Sequence, residues 1–391
     1  MTYGELDEAA SRTAGRLAAL GVVAGQRVGT TLSPGHEFAA LVHALPRIGA
    51  ALVPLDPRAP APVAVDLTVG APLTGPEAAV TLREDVDPEA VHSVVHTSGT
   101  GGEPKPIELT FRNHHASAVA LTAALGTDPE DRWLCPLPLF HVGGLAVLLR
   151  AAINRTTAVL HERFDAARAR VELESGGIAL ASLVPTMLRR LLRAGPLRAP
   201  RLRALLLGGG PIPPDLLDCG LPVVPTYGMT ETASSIALGS PGRPLDGVEL
   251  RVGPDREILV RGPMVAAQAV AADGWLHTGD AGRLDEQGRL LVEGRLKELI
   301  VTGGENVAPA EVEAALLEHP AVEDAAVVGV PDPEWGEAVT AFVVLAGTVE
   351  PHELIGHCRG RLAPFKVPKR IEPVERLPRN PAGKLLRHSL G

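Results

Sequence analysis

Residues 96–110, HTSGTGGEPKPIELT, concentrate groups that hold anions. Thr97, Ser98 and Thr100 offer hydroxyls, Gly99, Gly101 and Gly102 let backbone amides face a ligand, and Lys105 adds positive charge. Such a loop suits a polyphosphate, because amides and a cation meet several oxygens at once. The NTPase phosphate loop, GxxxxGK[ST], does not fit, since Pro104 and Pro106 bracket Lys105. The dinucleotide pattern GxGxxG is also absent from this loop. Taken alone, the segment also reads as a flexible turn.

Four further segments carry candidate chemistry. In TYGMTET, residues 226–232, Tyr227 suits a purine face, and Thr230 and Glu231 suit phosphate and Mg²⁺. Mg²⁺ takes few protein carboxylates together with phosphate oxygens. In GWLHTGD, residues 274–280, Asp280 follows a Gly turn and is placed to hold two ribose hydroxyls. Asp is also a common turn former. In residues 294–313, Gly303 and Gly304 permit close backbone approach by a ligand. In PRNPAGKLLR, residues 378–387, Lys384 lies beyond a Pro/Gly turn and reads equally as solvated charge.

These segments need a scaffold. Thr2 and Glu5 have capping-box spacing, and Leu6, Ala10, Thr13, Leu17 and Leu20 recur every three or four residues, so a helix opens the chain and stops at Gly21. Residues 27–32 and 50–54 read as strands around a helix over 37–48. Residues 58–87 are Pro-rich and read as a loop or a shortened connection. Buried strands are expected at 93–96, 178–183, 202–207 and 221–224, the last ending just before TYGMTET. Short alternating runs at 257–262 and 288–294 predict a small antiparallel section. From residue 299 the pattern is strand, helix (309–318), strands (325–330, 339–345) and helix (352–361). The expected fold is α/β. Residues 1–295 form a large N-terminal domain of layered α/β sheets with the antiparallel section. Residues 296–391 form a small α+β C-terminal domain.

Composition narrows the function. The 391 residues are 45% hydrophobic and 21% charged, which predicts globular domains rather than disorder. Lys plus Arg total 37 against 46 Asp plus Glu, a net charge of -9, and aromatics are only 3%. No basic footprint or stacking platform for nucleic acid is therefore expected. The longest apolar candidate, GGLAVLLRAAI, is interrupted by Arg150, so no membrane span is expected. Cys135, Cys219 and Cys358 are widely spaced, no signal peptide opens the chain, and a cytoplasmic protein is expected. The basic run 359–370 reads as a solvated face or a partner for a ligand's phosphates. His114 and His115 read as a helix start, because adjacent helical side chains diverge.

The five chemical segments, in this order, resemble the adenylate-forming superfamily of acyl-CoA synthetases, luciferases and nonribosomal adenylation domains. TSGTGGEPK resembles its phosphate loop, with Gly101 where Thr is usual. TYGMTE resembles the adenine and Mg²⁺ motif, HTGD the ribose motif, GRLKE the hinge and NPAGK the catalytic-lysine motif. The resemblance implies a large N-terminal domain and a small mobile C-terminal lid. It implies that Thr97, Ser98, Gly99, Thr100 and Lys105 hold phosphates, and that Gly209 and Gly210 line the adenine and acyl pockets. Tyr227 would flank adenine, Thr230 and Glu231 would serve phosphate and Mg²⁺, and Asp280 and Arg295 would hold ribose. Lys297 would be the hinge, and Lys384 would touch the carboxylate and the α-phosphate. A lid rotation would then withdraw Lys384 and present Gly303, Gly304 and Glu305 to a thiol.

The implied activity joins a carboxylic acid to a thiol through an acyl-adenylate, using ATP and Mg²⁺. TGGENVAPAEVE resembles the CoA-ligase form of its region, and no carrier domain follows Lys384, so CoA is the expected acceptor. LPLFHVGGLAVLLRAAI and YGMTETASS are most similar to 2-succinylbenzoate–CoA ligases of menaquinone synthesis. That likeness implies an acyl pocket walled by His141, Gly143, Gly144, Thr186 and Met187, with Ser234 reaching a second carboxylate. Ser235 stands where those ligases often have Gln. A general fatty acyl- or aryl-CoA ligase, and a catalytically weak adenylate-binding regulator, remain the alternatives. Monomer and homodimer both remain open. The connection over residues 58–95 is short for the family.

Overall fold

The first helix, Tyr3–Ala19, starts where Thr2 and Glu5 cap each other. The Thr2 side chain accepts from the Glu5 amide, and the Glu5 carboxylate accepts from the Thr2 amide at 2.7 Å. Its apolar positions Ala10, Ala14 and Leu17 are fully buried. The expected second helix divides into an α-helix, His36–Ala44, and a 3-10 turn, Leu45–Ile48. Pro46 has no amide hydrogen to continue the α pattern. The computed structural model describes residues 1–58, 64–97, 105–379 and 385–390, except the side chain of His388. It divides into two units. One comprises Met1–Gly209, Leu221–Leu250 and Val260–Leu276; the other comprises Gly210–Gly220, Arg251–Leu259 and His277–Gly391.

The first unit holds a five-stranded sheet in the order Leu67–Val69, Arg27–Thr30, Ala51–Pro54, Val91–Thr97, Lys105–Thr110. All pairings are parallel except the last. Leu67–Val69 corrects the expectation of a loop over 58–87. Three residues are too short for a visible period, and pairing with Val28–Thr30 makes them a strand.

A second run of strands in this unit follows the order Gly242–Pro244, Ser234–Gly239, Val223–Met229, Ala204–Leu207, Ile178–Leu183, Arg132–Cys135, Thr157–Leu160. Every residue of Ala204–Leu207 and Ile178–Leu183 is buried, as apolar parallel strands require. Val223–Met229 runs beyond the expected end at 224. It pairs in parallel with Ala204–Leu207 and antiparallel with Ser234–Gly239. Thr226 to Met229 therefore lie within a strand, not after one.

The strand Leu276–Leu284, which enters the second unit at His277, pairs antiparallel with Leu290–Arg295. Further along, Val322–Asp332 and Gly336–Leu345 make a long antiparallel pair, joined by Ile300–Thr302 with Glu305–Val307 and by a parallel strand, Arg370–Pro373. Helices Pro309–Leu317 and Pro351–Arg359 contribute Val312, Leu316 and Leu354 to a core with Val327, Val339 and Val343. The fold is α/β, with a large N-terminal and a small C-terminal part. Among the described residues, no helix is long and apolar enough to cross a membrane.

Candidate active site

Strand Val91–Thr97 delivers Thr97 to the mouth of the Gly-rich loop, and Lys105 opens the returning strand. The two residues are paired in register, and the Thr97 hydroxyl lies 3.5 Å from the Lys105 carbonyl. The Lys105 side chain is exposed. Ser98, Gly99 and Thr100, like Lys384, lie outside the described residues.

The Val223–Met229 strand carries Tyr227 and ends in a 3-10 turn, Thr230–Thr232, which holds Thr230 and Glu231 half-buried. Backbone geometry here is tightly specified. A β-carbon on Gly228 would sit 2.0 Å from the Ser234 carbonyl oxygen, so only glycine fits. Ala233 and Ser234 take left-handed φ values of 50° and 112°, unusual for residues with a β-carbon. Thr232 bridges the turn, donating to the Ser234 carbonyl at 2.8 Å and accepting from the Met229 amide at 3.1 Å. The Ala266 amide caps the Glu231 carbonyl at 2.8 Å.

Among the described residues, no group of three or more His, Cys, Asp or Glu side chains makes a metal cage. A lone carboxylate such as Glu231 is compatible with Mg²⁺, which draws most of its ligands from phosphate and water.

Gly208 and Gly209 follow strand Ala204–Leu207. A β-carbon on Gly208 would lie 2.2 Å from the Thr226 hydroxyl, and one on Gly209 would lie 3.3 Å from Val184. The structure thus brings the Gly208–Gly209 backbone, the Thr226–Tyr227 strand and the start of helix Pro185–Arg193 together. On that helix Thr186 is exposed and Met187 half-buried. Gly210 is exposed and belongs to the second unit.

His141 is the N-cap residue of helix Val142–Asn154, with its ring against Phe140 at 4.6 Å. Burial depresses its pKa most, Arg58 depresses it further, and Asp56 opposes both. His141 is therefore neutral near pH 7. Gly144 is explained by packing, since a β-carbon would fall 2.3 Å from the Pro138 carbonyl oxygen, whereas Gly143 is more open.

One neighbouring pair was not evident from sequence. Arg58 grips Asp56 through Nε at 2.9 Å and Nη2 at 3.0 Å, and its guanidinium lies 5.7 Å from the Phe140 ring. Asp56 and Arg58 sit two apart in a Pro-rich stretch without a motif, and only the strand Ala51–Pro54 aims them toward His141.

In the second unit, Asp280 and Arg295 face each other across paired strands. Arg295 Nε lies 2.9 Å from Asp280 Oδ1, and its Nη1 donates to the Thr278 carbonyl at 3.1 Å. Asp280 is 6% exposed. The two expected ribose residues therefore form one unit, with the arginine orienting the carboxylate.

Lys297 is exposed within the 3-10 turn Leu296–Glu298. Gly303 and Gly304, at φ 57° and 83°, form the two-residue turn between Ile300–Thr302 and Glu305–Val307. Such hairpin turns need positive φ at both central residues. Gly303 also abuts Trp335, whose ring a β-carbon would meet at 3.2 Å. Glu305 is exposed.

Described residues on either side of Lys384 in sequence make long-range contacts. Arg379 pairs with Asp324 at 2.7 Å and bridges Leu385, while Arg387 reaches Glu298 at 2.8 Å and Glu313 at 2.7 Å. Glu313 is 7% exposed, and burial raises its pKa against the pull of Arg387. Sequence spacing gives no hint of this clamp, because its partners lie 74 and 89 positions away. The basic run 359–370 is partly tied up with acids: Arg361 pairs with Glu318 and Lys366 with Glu311, both at 2.7 Å.

The model of the AMP-binding enzyme family matches residues 1–68 and 65–268, and the model of the AMP-binding enzyme C-terminal domain matches residues 311–384. A 2-succinylbenzoate–CoA ligase of Bacillus cereus (strain Q1) is 38% identical over 447 residues, covering 100% of this chain and 93% of the relative. An o-succinylbenzoate CoA synthetase (MenE) from Bacillus subtilis, solved with the acyl-adenylate intermediate OSB-AMP, is similar with a TM-score of 0.92 and 35% identity, over 100% of this chain and 93% of that one. The same synthetase with ATP and magnesium ion gives a TM-score of 0.90 and 35% identity, over 99% and 94%. The 447 aligned positions exceed the 391 residues of this chain by 56, so the relative has internal stretches that this chain lacks. The two matched segments of the family model overlap at residues 65–68, at the strand Leu67–Val69.

Proposed function

Because this chain belongs to the AMP-binding enzyme family, we propose that it is an acid–CoA ligase using ATP and Mg²⁺ to convert 2-succinylbenzoate to 2-succinylbenzoyl-CoA, a cytoplasmic step of menaquinone synthesis. The observation that carries this reading is the presence of five motifs in family order on a chain that aligns from end to end with such ligases.

The first step brings two anions together. A substrate carboxylate oxygen bonds to the α-phosphorus, and the bond to the bridging oxygen of pyrophosphate breaks, leaving an acyl-adenylate. The barrier is one of charge and alignment. Lys384 neutralises the meeting oxygens, and Lys105 with the Gly-rich loop receives the departing charge. Bound Mg²⁺, held by Glu231, supplies further neutralisation of the polyphosphate. Asp280 accepts from the ribose hydroxyls, with Arg295 holding its carboxylate in place. Tyr227 and the Gly209 backbone wall the base.

In the second step the CoA sulfur bonds to the acyl carbon, the thiol proton is released, and the carbon–oxygen bond to AMP breaks. Gly303, Gly304 and Glu305 line the thiol's approach. The hinge at Lys297 and the division into residues 1–295 and 296–391 belong to the same reading. Neutral His141, Gly143, Gly144, Thr186 and Met187 form the acyl wall, and Ser234 and Arg58 meet the second carboxylate.

Mass spectrometry of products from ATP, Mg²⁺, CoA and 2-succinylbenzoate, with octanoate and benzoate in parallel, tests this. Succinylbenzoyl-CoA with AMP and pyrophosphate is expected. Thioester from octanoate or benzoate alone would replace the substrate. ATP binding without turnover of any acid would favour the regulator.

A further inference from the structure

Helix Phe111–Leu125 buries three polar side chains that the reaction above does not use: Asn113, His114 and Ser117, at 5%, 6% and 1% exposure. Polar groups in a core are retained at a cost unless each is bonded, so their partners are informative. Asn113 Nδ2 donates to the carbonyls of Pro263 and Val265 at 2.9 and 3.0 Å. The next residue along that segment, Ala266, is the one whose amide caps the Glu231 carbonyl. One helical turn on, Ser117 Oγ donates to the Ala233 carbonyl at 3.0 Å, at the left-handed pair that closes the Glu231 turn. Arg150, itself 3% exposed, backs Ser117 with Nη2 at 3.5 Å. His114 Nε2 lies 2.9 Å from Ser93 Oγ, on the strand that runs on to Thr97 and the Gly-rich loop.

We propose that Asn113, His114 and Ser117, backed by Arg150, are positioning residues that hold the Thr230–Glu231 turn in register with the phosphate-loop strand, so that Glu231 meets Mg²⁺ on the bound nucleotide. The inference rests on the adenylation reading. One rigid helix contacts both segments through short buried bonds, and the turn it holds is closed by two non-glycine residues, Ala233 and Ser234, in a conformation that relaxes unless over-determined by its surroundings. A displacement near 1 Å at such a site is enough to cost about 10²-fold in rate.

Ser117→Ala in the full chain removes the bond to Ala233 and keeps the helix packed. The Mg²⁺ concentration for half-maximal pyrophosphate release should rise about fivefold or more, and kcat should fall about tenfold, with the KM for 2-succinylbenzoate within about twofold. Ser117→Cys, with its weak donor, should fall between. Leu121→Val, a buried change on the same helix, should lower the melting temperature and leave the Mg²⁺ dependence unmoved.

Calorimetric ATP titrations with and without Mg²⁺ read the same effect without any acid: Ser117→Ala should lose most of the Mg²⁺-dependent gain in affinity. Wild-type Mg²⁺ dependence in Ser117→Ala, or an equal shift in Leu121→Val, overturns the proposal. A wild-type protein that binds Mg²⁺ and ATP but releases no pyrophosphate with 2-succinylbenzoate would instead remove the substrate reading and leave this one standing on the titration.

Discussion

Lys384 illustrates what single residues disclose. Its identity and its Pro-Ala-Gly context mark a catalytic lysine by family resemblance, although isolated chemistry would call it a solvated cation. Lys384→Ala should lower acyl-adenylate formation by roughly 10²–10³-fold, the usual cost of one preorganised charged donor, while thioester formation from supplied acyl-adenylate persists. Near wild-type pyrophosphate release would remove the role. Arg58 is the opposite case, invisible in sequence and exposed as a candidate by its place beside Phe140 and His141. Arg58→Ala should raise the KM for 2-succinylbenzoate about tenfold, a modest value for a half-exposed ion contact, and leave that for 3-benzoylpropionate, which lacks the ring carboxylate, unchanged. Equal effects on both acids would place Arg58 outside acid recognition. Gly228 was legible only as part of a motif. Its requirement is steric, because a β-carbon meets the Ser234 carbonyl at 2.0 Å.

At the scale of elements, periodicity located helices Tyr3–Ala19, His36–Ala44, Pro309–Leu317 and Pro351–Arg359 and many of the buried strands, whereas helices Val142–Asn154, Ala166–Ser175 and Pro185–Arg193 were not evident from it, and the missed strands share a cause. Leu67–Val69 and the extension of Val223–Met229 are strands because neighbours pair with them, not because their own residues alternate. The clamp of Arg387 on Glu298 and Glu313 is likewise a product of tertiary approach. Arg387→Ala leaves Glu313 buried without its cation and should cost roughly 3–5 kcal/mol, seen as a lower melting temperature. Replacing both as Arg387→Met with Glu313→Leu should recover much of that loss, since a well-packed apolar pair needs no desolvation. A single mutant as stable as wild type would show that the clamp contributes nothing. The Gly303–Gly304 pair shows the same lesson in reverse: sequence suggested room for a ligand, and the structure adds a hairpin turn that needs both glycines on its own account.

Across the whole molecule, buried His92 and His114 and partly buried His43 contribute to the response to acid. Burial holds His43 down to about 4, with Arg47 adding to it, and His114 down to about 3, with Arg150 adding to it. His92 is depressed by burial and then by His114 and His43. The unfolded chain, with histidines near 6.5, binds more protons than the folded one below that pH. Stability from these groups is therefore full above about pH 6.5 and is lost as pH falls toward 4 and 3, each histidine adding up to about 1.4 kcal/mol per pH unit. Urea midpoints measured from pH 7.5 to 4.5 should fall with pH, and His114→Gln should flatten the slope. A pH-independent midpoint would show that these sites titrate normally.

The sequence by itself determined the α/β class, the order of the chemical motifs and the family they identify, because residue types, turn glycines and apolar periods are local properties. Tertiary structure alone decided that Asp280 and Arg295 form one unit, that Arg58 stands beside His141, and that one helix bonds both the Glu231 turn and the strand entering the phosphate loop. Those facts depend on pairing and packing between residues from 15 to 116 positions apart, which no local pattern encodes.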